Sequence, residues 1–287
     1  MKRFVFFGTL SALAVVLFLV LRPAMSVFGS SAVPDTAGRA KELLPEELAG
    51  GTEAGTATVA RKPRSVAGAP LDAIEQQIIT LTNEQRTEAG LRPLVFDDSL
   101  RRAARSHGRD MIERSFEDPI NPDGLSAEDR VARENRRAVA VVGENISSAS
   151  ANDAELARRI VADWLADPGK REKVLRPEYT EIGVGVVPSS TEIRAVQVLA
   201  RTIALTDAPI PATVAARANV RIVPAPRSAA NCTAVDVFSP GTGLAVLGPV
   251  PFGDIAMNVE PGVYRLRFHC TDGGSRIFTG PRFEVTR

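Results

Sequence analysis

The apolar run Ala138 to Val142 leads without a break into Gly143-Glu144-Asn145-Ile146, which sets a carboxylate and an amide directly behind residues suited to a core. An ionised carboxylate is costly to bury unless it is paired or hydrogen-bonded, so this junction admits two arrangements. Either the strand ends here and Gly-Glu-Asn turns Glu144 into water, which suits these residue types, or the fold builds a matched polar site around it. The flanking segments must decide, and they also set the fold.

Lys2 and Arg3 precede an apolar stretch from Phe4 to Leu21, interrupted only by Gly8, Thr9 and Ser11. It is a secretory signal or an uncleaved anchor. It exceeds the roughly 7–15 residues of a signal core and approaches the roughly 17–25 of a spanning helix, while Ala24-Met25-Ser26 offers small residues for cleavage. Both readings export the chain beyond Pro23, either anchored and facing outward or secreted or periplasmic after cleavage. Residues 1–26 are assigned to this segment. Residues 27–69, rich in Ala, Gly, Thr and Pro with one helix-like patch from Lys41 to Leu48, are assigned to a flexible linker. With 35 basic and 34 acidic residues the net charge is +1, which gives no bulk electrostatic case for nucleic acid.

Leu71, Ile74, Ile78 and Leu81 recur at helical spacing and predict a helix that stops at Gly90. A second helix, capped by Asp97 or Asp98, places Leu100, Ala103, His107 and Met111 on one face and ends near Phe116. His107 is therefore read as a packed, hydrogen-bonded histidine rather than a ligand. The acidic loop from Glu117 to Gly124 is not a calcium loop: if Asn121, Asp123 and Gly124 took the third, fifth and sixth positions, Pro119 and Arg130 would fall where carboxylates are required. A Pro122-Asp123-Gly124 turn into a helix at Ser126 fits better. A further helix is expected from about Asn152, burying Leu156, Ile160, Val161, Trp164 and Leu165 and ending at Pro168-Gly169. Ile182 to Val187 and Ile193 to Ile203 read as a hairpin across Pro188-Ser189-Ser190-Thr191. Helices followed by a closing hairpin make an α+β layer fold.

The ordered set Leu81-Thr82-Asn83-Glu84-Gln85-Arg86, Gly90-Leu91-Arg92-Pro93-Leu94, Leu100 with Ala103-Ala104 and Asp110-Met111, Gly143-Glu144-Asn145-Ile146, Trp164, Pro168-Gly169 and Ile182-Gly183-Val184-Gly185 resembles the CAP superfamily, or SCP domain, in its bacterial form. The resemblance covers about Leu71 to Ile203. It implies an α-β-α sandwich with an open cleft and the motif Glu on the cleft floor, so Glu144, Asn145, Asp118 and Lys170 are the expected cleft residues. Family members with a complete cleft carry histidines that help hold a divalent metal, one in the loop ending Pro-Asp-Gly and one after Ser-Pro-Gly. Here those stretches read Phe116-Glu117-Asp118-Pro119 and Asp167-Pro168-Gly169-Lys170-Arg171, and the chain's two histidines, His107 and His269, lie elsewhere. A protonated lysine has no lone pair to offer a metal. The cleft is expected to be metal-free, without a cofactor, and Lys170 either pairs with Glu144 or Asp118 or follows its helix end into water.

Beyond Thr206, short strand-like runs broken by Pro and Gly, namely Ala212 to Val223, Thr233 to Phe238, Leu244 to Leu247, Ile255 to Val259, Val263 to Phe268 and Phe283 to Val285, predict a small β-sandwich. Gly248 to Cys270 faintly resembles PEGA-type extracellular β-modules. In an exported chain Cys232 and Cys270 should pair, and closing that loop would stabilise by about 4 kcal/mol on loop entropy. His269, beside Cys270, should point away from it to the surface. Ser239-Pro240-Gly241-Thr242-Gly243 lacks the lysine and helix of a phosphate loop and reads as a turn. The resulting assignment is a CAP-like domain over 70–206 and a disulfide-linked β-domain over 207–287. Its expected role is to bind a partner protein, an envelope polymer or a small apolar ligand, with membrane contact only through an uncleaved N-terminus. The remaining enzymatic reading is a hydrolase in which Glu144, paired with Glu181, does acid-base work.

Overall fold

The structure, a computed structural model, describes residues 65–66, 69–151, 153, 155–225 and 231–287. The N-terminal apolar run, the Lys41–Leu48 patch and all but the last residues of the linker lie outside these. No helix among the described residues is long and apolar enough to cross a membrane.

A two-stranded ribbon, β1 (Ser65–Val66) and β2 (Ala69–Pro70), leads into α1 (Leu71–Glu88), which buries Leu71, Ile74, Ile78 and Ile79 and ends before Gly90 at φ +74°. After β3 (Val95–Phe96), α2 (Asp98–Arg114) starts where the Asp97 carboxylate accepts from Leu100 N and ends at Ser115 in the left-handed region. The short α3 (Ala127–Glu134) is opened by a capping box between Ser126 and Asp129. β4 (Ala138–Ser150) then runs straight through Gly143-Glu144-Asn145-Ile146, so the turn that these residues also suit is not formed. α4 (Leu156–Ala166) begins later than the expected Asn152. Pro168-Gly169 closes it and also opens α5 (Pro168–Val174), with Pro168 in the first turn, where its missing N–H costs nothing.

The hairpin forms as expected from β5 (Glu181–Pro188) and β6 (Glu192–Leu205), and the sheet order is β3-β5-β6-β4. One face, through Ile182, Val184, Ile193 and Leu199, packs on α1 and α4 with Trp164 fully buried. The other face, through Val196, Val198 and Ala200, packs on α2 and α3. This is the α-β-α sandwich. Gly183 and Gly185 explain its closeness: a Cβ there would lie 2.2 Å from Arg101 N and 2.4 Å from Arg105 N, so the backbone of α2 rests directly on β5.

The rest of the chain forms β7 (Thr213–Ala215), β8 (Asn219–Ile222), β9 (Asn231–Phe238), β10 (Ala245–Pro251), β11 (Gly253–Ala256), β12 (Gly262–Thr271) and β13 (Ser275–Thr286). The run Ala212 to Val223 is two strands, split where Arg217 takes φ 67°. A five-stranded sheet of order β10-β9-β12-β13-β7 faces the pair β11-β8 across a core that includes Val235, Leu266, Phe268, Ile222 and Ile255. Cys232 and Cys270 stand opposite each other on β9 and β12 and form the disulfide. Val139, Ile203 and Ala204 of the sandwich join this β core, and the described residues belong to one compact unit. His269 does face away from Cys270, but it is not free in water: its Nε2 lies 2.9 Å from Asp236 Oδ2.

Candidate functional site

Alternation along β4 sends successive residues of the central motif to opposite faces of the sheet. Gly143 is required because a Cβ there would lie 2.3 Å from Tyr179 Oη. Glu144 points towards α2 and α3 and is 8% exposed. Both its oxygens accept from Arg130 Nη2, at 2.9 and 2.8 Å. Arg130 is itself buried and also donates to Leu125 O at 2.8 Å and Pro119 O at 2.9 Å, which locks the 119–125 loop over the pair.

His107, fully buried on α2, completes the cluster. Its Nε2 donates to Asp118 O at 3.1 Å and lies 3.6 Å from Glu144 Oε2, while its Nδ1 has no partner among the described residues. The packed histidine is legible from the helical stripe, but its contact with Glu144 is not. Burial pushes the Glu144 carboxyl up to about 7 against the opposing pull of Arg130. Burial first, and then the Arg130 charge, hold His107 down at about 4, so the imidazole is neutral at physiological pH.

Asn145 serves the opposite face. Its Nδ2 donates to Lys170 O and to Gln197 Oε1, each at 3.1 Å, and Gln197 Nε2 donates to Thr82 Oγ1 at 3.0 Å. This buried relay ties α5 through β4 and β6 to α1. Of the two arrangements open to Lys170, pairing with Glu144 or Asp118 or following its helix end into water, it takes neither fully: its Nζ donates to Ile146 O at 2.9 Å, and Glu144 is matched by Arg130 instead. Asp118 is exposed, with its carboxylate accepting from Ile120 N at 2.7 Å and its carbonyl taken by His107. The four expected cleft residues therefore do not line one cleft, because β4 divides Glu144 from Asn145 and from the Lys170 carbonyl.

Nor do Glu144 and Glu181 meet. Glu144 sits opposite Val198 from β4 and Glu181 opposite Ala200 from β5, with β6 between them, a separation of roughly 10 Å across two strand spacings. The Glu181 carboxylate accepts from Thr202 N at 3.0 Å and Thr202 Oγ1 at 3.1 Å. A shared proton or a bridged water between the two acids has no geometric basis.

The donor set does not fit a metal. No group of three or more His, Cys, Asp and Glu side chains among the described residues is arranged to hold one. Lys170, at a position where the resemblance implies a histidine, has its ammonium engaged with a carbonyl. In the 119–125 loop, Asp123 is paired with Arg114 at 2.7 Å and Asp110 accepts from Asn121 at 2.8 Å. What opens beside His107 and Arg130 is a cavity of about 250 Å³ whose wall includes Ser106, Asp110, Asn121 and Arg133.

Residues 79–199 match the CAP family, described as the Cysteine-rich secretory protein family. The uncharacterized protein YkwD of Bacillus subtilis (strain 168) is 31% identical over 134 residues, which cover 46% of this chain and 50% of that protein. The uncharacterized membrane protein YlbC of the same organism is 34% identical over 112 residues, covering 39% of this chain and 31% of that one. The chain thus spans half or less of the length of these relatives. An extracellular protein containing an SCP domain from Bacillus anthracis str. Ames superposes with a TM-score of 0.39 at 27% identity, over 45% of this chain and 41% of that chain.

Proposed function

Because residues 79–199 carry a CAP-superfamily domain, we propose that the protein is an exported binding module, tethered to the envelope if its N-terminal segment is retained, which recognises a ligand without transforming it. The observation that carries this reading is the closure of Glu144: both oxygens are held by a buried arginine and a neutral histidine stands behind them. A general base must reach the proton it removes, and this one reaches only its own partners. The adjoining cavity, at about 250 Å³, is smaller than the roughly 300–1,000 Å³ of ordinary small-molecule pockets, and its wall is charged. Both features favour a polar macromolecular partner, an envelope polymer or protein, over an enclosed apolar ligand.

One observation favours the hydrolase reading: a carboxyl near 7 is poised for acid-base work at neutral pH. The two readings separate on Glu144→Gln, assayed with ester, glycoside and peptide substrates alongside the wild type. A binding module shows no turnover in either protein. Turnover by the wild type that vanishes in a folded Glu144→Gln variant would overturn the proposal. Native mass spectrometry of the exported chain before and after zinc gives a second check, since stoichiometric zinc is incompatible with a site built from Arg130, His107 and Glu144.

A further inference from the structure

A second cavity, of about 330 Å³, lies where α3 meets β13. Asp129, 4% exposed, is bonded by two guanidiniums, Arg282 Nη2 to Oδ2 at 3.0 Å and Arg265 to Oδ1. Arg136 gives its N–H groups to the carbonyls of Ile210, Pro211 and Arg282, which carry no full charge to offset its own. Arg133, exposed at the mouth, makes no hydrogen bond or ion pair among the described residues. Besides Asp129, the neighbouring carboxylates are Glu284 at the wall, Glu128 near Arg265, and Asp123, which feels the charge of Arg133 but is itself paired with Arg114. Burial first, and then the charge of Arg133, lower the proton affinity of both Arg136 and Arg282.

The same cavity has an apolar side. Val263 is 48% exposed there, beside the buried Phe283. A concave site that sets two guanidiniums without a bonded carboxylate, Arg133 and Arg136, next to an exposed aliphatic group matches a ligand with an anionic head and an apolar body. A phosphate monoester brings about −1.5 to −2 charges and three acceptor oxygens, whereas a carboxylate brings one charge and two oxygens. The unengaged fork of Arg133, with the charges of Arg136 and Arg282 beside it, suits the larger head.

We propose that this junction binds the phosphate group of a phosphate monoester, with the apolar substituent lying on Val263 and Phe283. The site does not include Glu144, Arg130 or His107; Arg133 also lines the cavity beside them, and Val263, which lines this junction alone, tells the two apart. The test is calorimetric titration of the full chain with inorganic phosphate, phenyl phosphate and phenylacetate. Phenyl phosphate should bind more tightly than either of the others. Arg133→Ala, which removes an exposed side chain with no bonds to lose, should weaken phenyl phosphate about tenfold while leaving thermal unfolding unchanged. Val263→Ala should weaken phenyl phosphate about threefold and leave inorganic phosphate unaffected. The proposal is overturned if phenyl phosphate shows no saturable binding up to about 10 mM, if phenylacetate binds equally well, or if Arg133→Ala binds like the wild type.

Discussion

Glu144 and Asp236 each sit against one arginine and one histidine, and the two clusters differ in how the chain delivers those neighbours. Around Asp236 a single neighbouring strand supplies both. Arg267 stands directly opposite on β12 and binds it in fork geometry at 2.8 and 2.9 Å, and His269, two residues on and on the same face, closes to 2.9 Å. Both partner side chains remain 27% exposed, and the Arg267 guanidinium also lies 4.7 Å over Phe238. Around Glu144 the partners come from two helices, are essentially dry, and leave Arg130 Nε and His107 Nδ1 without partners among the described residues. The same three residue types thus make a water-touched clamp in one place and a sealed one in the other. Sheet register yields the first by burying the carboxylate while leaving its partners partly in water, whereas helix-on-sheet packing buries all three groups of the second and holds only if they stay matched.

If sealing is what distinguishes the two clusters, breaking them must cost differently. Arg130→Leu should destabilise the full chain by about 3–5 kcal/mol, because Glu144 is left buried without its counter-charge. Arg267→Leu should cost less, about 2–3 kcal/mol, since Asp236, although itself only 2% exposed, keeps its bond to His269. Equal shifts in urea unfolding would remove the distinction. Reducing the Cys232–Cys270 bond, which joins the two strands of the Asp236 clamp, should cost up to about 4 kcal/mol. That loss should appear as a lower urea midpoint in reductant, with no such change in a Cys232→Ala/Cys270→Ala double variant.

Acid tests the sealed cluster further. The raised Glu144 carboxyl contributes stability that is full below about 4.5 and is lost as pH rises towards 7. The lowered His107 contributes stability that is present above about 6.5 and is lost as pH falls towards 4. Between these limits the two slopes oppose each other and the contribution of the wild-type cluster should be nearly flat. His107→Gln removes one slope, so relative to the wild type the variant should lose about 2 kcal/mol between pH 4.5 and 6.5. Urea midpoints across that range check it, and parallel profiles would mean that the titrations are misassigned. The smallest effect is expected at Lys170→Met, about 1 kcal/mol or less for one partly exposed hydrogen bond to Ile146 O. A larger loss would mean that Lys170 supports Glu144 after all.

The helices, the β5–β6 hairpin and the disulfide are legible in the sequence because periodicity, turn residues and the pairing of two cysteines in an exported chain are local or nearly unambiguous signals. The centre of β4 is not. Strand alternation puts Glu144 and Asn145 on opposite faces, and polar residues at successive positions look like a turn when both faces are in fact covered. Arg130 stands out in the sequence only as a residue unfit for a calcium loop, because a helix residue whose charge is matched 14 positions on by a strand carries no local mark of burial. Gln197 and Thr82, which complete the Asn145 relay, escape sequence reasoning for the same reason. That Lys170 donates to the Ile146 carbonyl and that Arg130 matches Glu144 require coordinates.

β13 has a consequence for the order in which the molecule is made. It is bonded on both sides, by β12 and by β7, and it carries Arg282 to Asp129 across 153 positions of sequence. A chain synthesised from its N-terminus can complete the helices and β4 long before that strand appears, and until then Asp129 lacks the cations that balance it. The α3–β13 junction therefore matures only after both α3 and β13 have been made. Any ligand recognised there would distinguish chains with β13 in place from those without it.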